Sequence, residues 1–180
     1  HVNEPPDTWQ ARVPAKLRER APKVVHTDDG DMWSFDDGKS MRPVGLTATA
    51  GLSYLQYRPS GLSDDTRRPG SFDTKARLAD MDAMGVERAL LFPTLFAEYF
   101  PLVENPDVAW ALARAYNDWL FDFTTANSRR LIPVAVLPLQ EPSFAVRELR
   151  RVAARGFRAA FIRPVFSAGR YPNQDLYDPL

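Results

Sequence analysis

One of the two histidines in this sequence stands at its start, three residues before a glutamate, and the pair His1 and Glu4 has the chemistry to hold a metal. An imidazole nitrogen suits zinc, manganese or iron, and a site of nitrogen and oxygen ligands with an open position leaves room for water. His1 reads equally as an exposed terminal side chain. Glu4 could bind a metal, orient another ligand from behind or touch substrate; as a loop carboxylate it would instead cap a turn or pair with an arginine. Arg163 follows an apolar run. There a guanidinium can grip a carboxylate through two parallel hydrogen bonds, or serve a structural salt bridge. Phe92, Thr94 and Phe96 follow another such run and would wall a substrate site or belong to the core. His26 falls within a strand-like segment and reads as a surface or internally satisfied histidine.

Composition narrows the classes. The 23 basic and 23 acidic side chains cancel, which argues against a nucleic-acid surface or a polybasic membrane patch. With no cysteine, disulfides and thiolate metal sites are excluded. The apolar share of 44% suits a globular core, and no apolar stretch approaches a membrane span. The expected partners are a small-molecule substrate and further copies of the chain, in the cytoplasm. Sixteen prolines with aromatics interleaved throughout point to long ordered loops.

These residues need elements to position them. Up to about residue 70 no long helical period appears, and Lys16–Arg20 suits only a short helical turn. Lys23–Thr27, Met32–Phe35 and Lys39–Met41 read as short strands. They are separated by Asp28-Asp29-Gly30 and Asp36-Asp37-Gly38, whose Asp-Gly pairs suit tight hairpins, so a small antiparallel meander is predicted. Residues 46–69 read as a loop. From Ser71 the pattern changes. Ser71 or Asp73 caps a helix carrying Leu78, Met81 and Met84, which Gly85 ends. A β-run from Val86 to Phe92 stops at Pro93.

Asn105-Pro106 is a cap followed by proline at the first helical position, and Val108, Leu112, Ala115, Tyr116, Trp119, Leu120 and Phe123 form one apolar stripe. Trp110, Trp119 and Phe123 suit helix packing or a subunit interface. Leu131–Leu137 is apolar enough for a strand buried on both faces. Pro142–Arg155 is the next helix, with Arg147, Arg150, Arg151 and Arg155 on its expected solvated face, and Phe157–Ile162 is the next strand. Parallel strands with right-handed crossovers would set Phe92-Pro93, Leu137-Pro138 and Arg163-Pro164 on one rim, where α/β folds bind ligands.

The predicted fold class is α/β, a partial (β/α)8 barrel with an inserted antiparallel meander near the amino terminus. Residues 1–180 are read as the leading part of one domain, with an insertion over about residues 10–70 and βα repeats over 71–180. A whole barrel needs roughly 250 residues. The chain therefore reads as starting inside one functional motif and stopping before the next, with a further strand expected just before His1. No G-x-G-x-x-G or G-x-x-x-x-G-K-[ST] follows a strand, which weighs against dinucleotide and P-loop folds.

His1-Val2-Asn3-Glu4-Pro5-Pro6-Asp7-Thr8-Trp9 resembles the first-strand region of the amidohydrolase-2 group, metal-dependent barrel hydrolases and decarboxylases. Leu131–Gln140 is similar to that group's third strand and Gly156–Pro164 to its fourth, and Tyr177–Leu180 is similar to the lead into the next helix. The resemblance implies that His1 is the second ligand of the first-strand metal pair, with Glu4 beside it. It implies no catalytic residue within these residues, because the other histidines and the catalytic aspartate of the group would lie further along a longer chain. It further implies a divalent cation, zinc first, with manganese or iron as alternatives. The activity expected is hydrolysis of a small organic acid, amide or ester by metal-activated water. Non-oxidative decarboxylation is the alternative, and a non-catalytic half-barrel binding module is the reading from another class.

Overall fold

Two Asp-Asp-Gly turns build the first sheet, as their sequence requires. In the computed structural model, which describes residues 1–60, 62, 66–165 and 167–180, Gly30, Asp36, Asp37 and Gly38 all take positive φ, at 102°, 45°, 57° and 84°. These left-handed positions reverse the chain between strands β1 (Lys23–Thr27), β2 (Gly30–Phe35) and β3 (Ser40–Pro43). The three strands pair antiparallel in the order β1-β2-β3. The turn before them, Ala15–Arg20, is a short 3-10 helix. The meander buries Trp33 and Phe35 of β2. Trp33 meets Trp9 edge-on at 5.8 Å, and Phe35 stacks on Tyr99 at 4.3 Å.

The second sheet is parallel. It is made of β4 (Ala89–Leu91), β5 (Leu131–Val136) and β6 (Ala159–Phe161), in that order. Helix α1 (Thr74–Ala83) precedes β4, and its first turn is capped by Asp73, which accepts from Ala76 N at 2.7 Å. Gly85, at φ 66°, reverses the chain behind it. Helix α2 (Leu95–Tyr99) follows β4 after a three-residue link, an element the sequence pattern did not predict. Helix α3 (Pro106–Thr125) begins at the predicted cap, with Asn105 Oδ1 accepting from Val108 N at 3.1 Å. Helix α4 (Pro142–Ala154) ends before Gly156, at φ 94°. The apolar stripe of α3, Leu112, Tyr116, Leu120 and Phe123 among it, is buried. The fold is mixed α/β, and among the described residues the parallel sheet has three strands and does not close on itself. No helix among those residues is long and apolar enough to cross a membrane.

The helix layer is locked to the sheet by a buried polar network. Asn117 of α3 donates from Nδ2 to Val136 O and accepts at Oδ1 from Val136 N, both at 2.9 Å. The same amide donates to Glu148 Oε1 of α4 at 2.8 Å, and Glu148 is 0% exposed. Arg151 closes on Glu148 through Nε at 2.8 Å and Nη2 at 2.7 Å, and Arg151 and Arg155 both reach Asp118. The arginines of α4 are thus not a uniformly solvated face. Arg151 and Arg155 staple α4 to α3, and Arg147 lies 4.4 Å over the Trp110 ring, which stacks on Phe144 at 4.6 Å. A helical period marks which residues share a face, but a buried acid on the neighbouring turn turns some of those cations inward. Trp119 and Phe123 pack inside the core.

Asn117→Leu would leave Val136 N–H and C=O without partners in a dry interior. An unfolding titration in urea should show a loss of about 2–4 kcal/mol, and a loss under half a kcal/mol would contradict this account.

Candidate functional site

The first four residues lie against the carboxyl end of β4. Val2 N donates to Phe92 O at 2.9 Å, and Thr94 Oγ1 donates to Val2 O at 2.5 Å. Asn3 N bonds Ser71 O at 2.9 Å, and Asn3 Nδ2 bonds Thr47 O at 2.6 Å. Two arginines hold the carbonyls of this segment: Arg77 reaches His1 O at 2.6 Å, and Arg67 reaches Asn3 O at 3.1 Å and Glu4 O at 3.3 Å. Arg67 is itself held with its guanidinium 4.6 Å over the Phe72 ring.

This clamp sets the chemistry of His1. Its Nδ1 lies 2.7 Å from Pro93 O. A carbonyl oxygen can only accept, so Nδ1 carries the hydrogen, and in the neutral ring the lone pair is assigned to Nε2. Fixing one ring nitrogen so that the other is free to ligate is how proteins present histidine to metals. The imidazole sits 6.0 Å from the Phe92 ring, which meets Phe161 of β6 edge-on at 6.0 Å.

Glu4 enters the interior. It is 4% exposed, and its Oε1 has no hydrogen-bond partner. Burial pushes its carboxyl up to about 7, against the opposing pull of the Glu4 and Thr94 backbone N–H groups and of Arg67. Three other buried polar atoms lack protein partners in this region of the core: Thr8 Oγ1, Trp9 Nε1 and Tyr116 Oη. Burial, and then the charge of Glu4, raises the Tyr116 phenol well above its ordinary value.

A second feature opens where β5 and β6 end. A narrow cleft of about 30 Å³ is lined by Phe100, Leu137, Leu139, Gln140, Phe161 and Arg163. Arg163 is half-buried and donates one N–H to Ala97 O at 3.1 Å. Gln140 is 2% exposed; its Nε2 donates to Phe100 O at 2.8 Å, while its Oε1 has no partner.

The structure therefore brings His1, Glu4, Phe92 and Thr94 together at the end of β4, and sets Arg163 at the end of β6. Thr94 spends its hydroxyl on Val2, and so anchors the segment that carries His1 and Glu4. Phe96 departs from its expected place in a substrate wall. It is 1% exposed and packs among Trp9, Phe100 and Tyr116, because α2 turns it toward the core. His26 lies on β1, paired with Asp31 at 2.5 Å. Gln140 was not singled out from the sequence as a buried polar group. Its signal was a single amide at the end of the apolar run from Leu131 to Leu139, a polar group that burial would strand. Among the described residues no group of three or more His, Cys, Asp or Glu forms a metal-binding cluster.

A family model described as amidohydrolase matches residues 6–180. The chain belongs to this family. No curated protein matches it. Among solved structures, an amidohydrolase of Mycobacterium avium subsp. paratuberculosis superposes with a TM-score of 0.67 at 20% identity, covering 99% of this chain and 52% of that one. The 2,6-dihydroxybenzoate decarboxylase of Rhizobium is 31% identical, with a TM-score of 0.51 over 57% of this chain and 33% of its own. The 5-carboxyvanillate decarboxylase of Novosphingobium aromaticivorans, solved with manganese, is 33% identical, with a TM-score of 0.52 over 57% of this chain and 29% of its own. This amidohydrolase chain thus spans about half the length, or less, of the structures it matches.

The carboxyl of Glu4 gives a pH test. The folded state holds its proton up to about 7, whereas an unstrained glutamate releases it near 4.5. Between those values the folded state binds more protons than the unfolded one, so stability falls as pH rises through this window and levels off above it. The effect is about 3 kcal/mol. Glu4→Gln, compared with the parent in metal-free buffer by urea unfolding at pH 5 and pH 7.5, should flatten that slope. An identical slope in both proteins would refute it.

Proposed function

We propose that this chain supplies the leading part of a (β/α)8 enzyme that binds a divalent metal and acts on a small organic acid. The single observation that carries this reading is the His1 imidazole, pinned by Pro93 O at the rim of the parallel sheet with Nε2 left to ligate, next to a buried carboxyl whose Oε1 lacks a partner. A nitrogen and an oxygen donor of this kind fit zinc or manganese, and the manganese in the 33% identical decarboxylase favours manganese. Bound there, the cation would fix and polarise a substrate oxygen.

The chain's own residues do the rest of the work assigned to them. Pro93 O holds the tautomer of His1. Thr94, Arg67 and Arg77 hold the backbone that carries both donors. Arg163, which directs one N–H to Ala97 O, keeps further N–H donors for a substrate carboxylate. Of the two reactions foreseen, non-oxidative decarboxylation is favoured, because the neighbours near 30% identity are decarboxylases of aromatic acids. In that reaction the C–C bond to the carboxylate breaks, its electron pair stays on the ring carbon, and that carbon takes a proton as carbon dioxide leaves. Hydrolysis by metal-activated water is the second reading, supported by the family to which the chain belongs.

Metal content by elemental analysis of the full-length protein, and carbon dioxide release from a panel of aromatic acids, test the proposal. The protein should carry a divalent metal, and His1→Ala should lose at least about tenfold in metal affinity. A metal-free protein that turns over the same acids, or an unchanged affinity in His1→Ala, would remove it.

A further inference from the structure

The amino ends of the parallel strands carry arginines. Arg88 stands directly before β4, Arg129 and Arg130 before β5, and Arg158 before β6. The fold consumes Arg130, which donates to Val86 O and Glu87 O and pairs with Asp82 at 2.6 Å. The other three border a groove of about 720 Å³, together with Arg155 at the end of α4. Phe121, Ile132 and Pro133 supply the apolar part of its lining, and no aspartate or glutamate among the described residues lines it. Helices α3 and α4 both finish beside this groove, and each carboxyl-terminal end carries about half a negative charge. Asp118 takes up Arg155, which also lies 4.0 Å over the Phe121 ring. Arg88 has Glu87 beside it at 3.6 Å, with both side chains largely exposed, a pairing of little worth in water. Arg129 and Arg158 meet no carboxylate among the described residues and stand against the helix ends alone. Positive charge is therefore left over at this end of the sheet.

We propose that this groove binds a small phosphate-bearing anion, with Arg129 and Arg158 as its principal contacts and Arg88 at its edge. The guanidinium groups arrive from separate segments, the links before the three strands and the end of α4. A carboxylate has two oxygens and is filled by one planar fork, whereas a phosphate offers three acceptor oxygens and takes donors from several sides. Thr124 and Thr125 spend their hydroxyl protons on carbonyls of their own helix, so the arginines are the donors that remain. The volume falls in the range of about 300–1,000 Å³ usual for small-molecule sites, and the apolar lining suits an organic group attached to the phosphate. This groove is separate from the candidate metal site. His1 is held at the carboxyl end of β4, and the six residues of β5 set the two ends of the sheet about 20 Å apart. A ligand in the groove does not reach the rim, so the inference stands independently of the proposed reaction.

Calorimetric titration of the full-length protein with inorganic pyrophosphate and with phenyl phosphate, at about 0.15 M salt where exposed charges are screened, tests this. At least one of the two should bind with a Kd below about 1 mM, and the tighter of them tells an inorganic from an organic ligand. Arg129→Gln and Arg158→Gln should each weaken that binding by about tenfold or more. Arg18→Gln removes the same charge from an exposed position on the 3-10 helix and should leave the affinity unchanged. His1→Ala should also bind the anion as the parent does. Failure of both anions to bind overturns the proposal. So does an equal loss in Arg18→Gln, which would mean attraction to net charge alone. A loss in His1→Ala with none in Arg129→Gln or Arg158→Gln would place the anion at the rim and likewise overturn it.

Discussion

The hydrogen bond from Val2 N to Phe92 O is the constraint on which the candidate site depends. It continues the edge of the parallel sheet by one main-chain bond beside β4. Once it forms, the residues on either side have few places to go. His1 falls beside Pro93 O, the Thr94 hydroxyl meets Val2 O, and Glu4 is carried inward. The arginines then act on carbonyls: Arg77 on His1, Arg67 on Asn3 and Glu4. Main-chain acceptors gripped in this way hold a segment without regular structure in one conformation, and a ligand set needs that rigidity.

A domain interior ordinarily pairs nearly all its buried donors and acceptors. The network between α3, α4 and β5 follows that rule, with Asn117, Glu148, Arg151 and Asp118 satisfying one another and the end of β5. Single atoms of Glu4, Thr8, Trp9, Arg77, Trp110, Tyr116 and Gln140 depart from it, in the amino-terminal segment, on α1 and α3 and after β5.

The match over residues 6–180 places the chain in the amidohydrolase family, and the superposition with a TM-score of 0.67 shows the shared fold. The structures nearer in identity are decarboxylases, matched over 57% of this chain. A shared scaffold serves several reactions through small changes at the strand ends.

Much of the scaffold was legible in the residues. Asp-Gly turns, the Asn105-Pro106 cap, the stripe on α3 and the glycines at 85 and 156 are local signals, each decided by the conformations a few neighbouring residues allow, and the elements they predicted form with ends at most three residues from those expected. His1 and Glu4 stood out by their side-chain chemistry and close spacing, and Arg163 because it follows an apolar run. Only the tertiary structure decided the rest. The packing that buries Phe96 against Tyr116, the draw of Arg151 and Arg155 toward Asp118, and the bond from Gln140 Nε2 to Phe100 O all depend on partners tens of residues away. A pattern of hydrophobicity records which face of an element is buried. Which donor finds which acceptor inside that burial is set by packing in three dimensions, which no local window of residues contains.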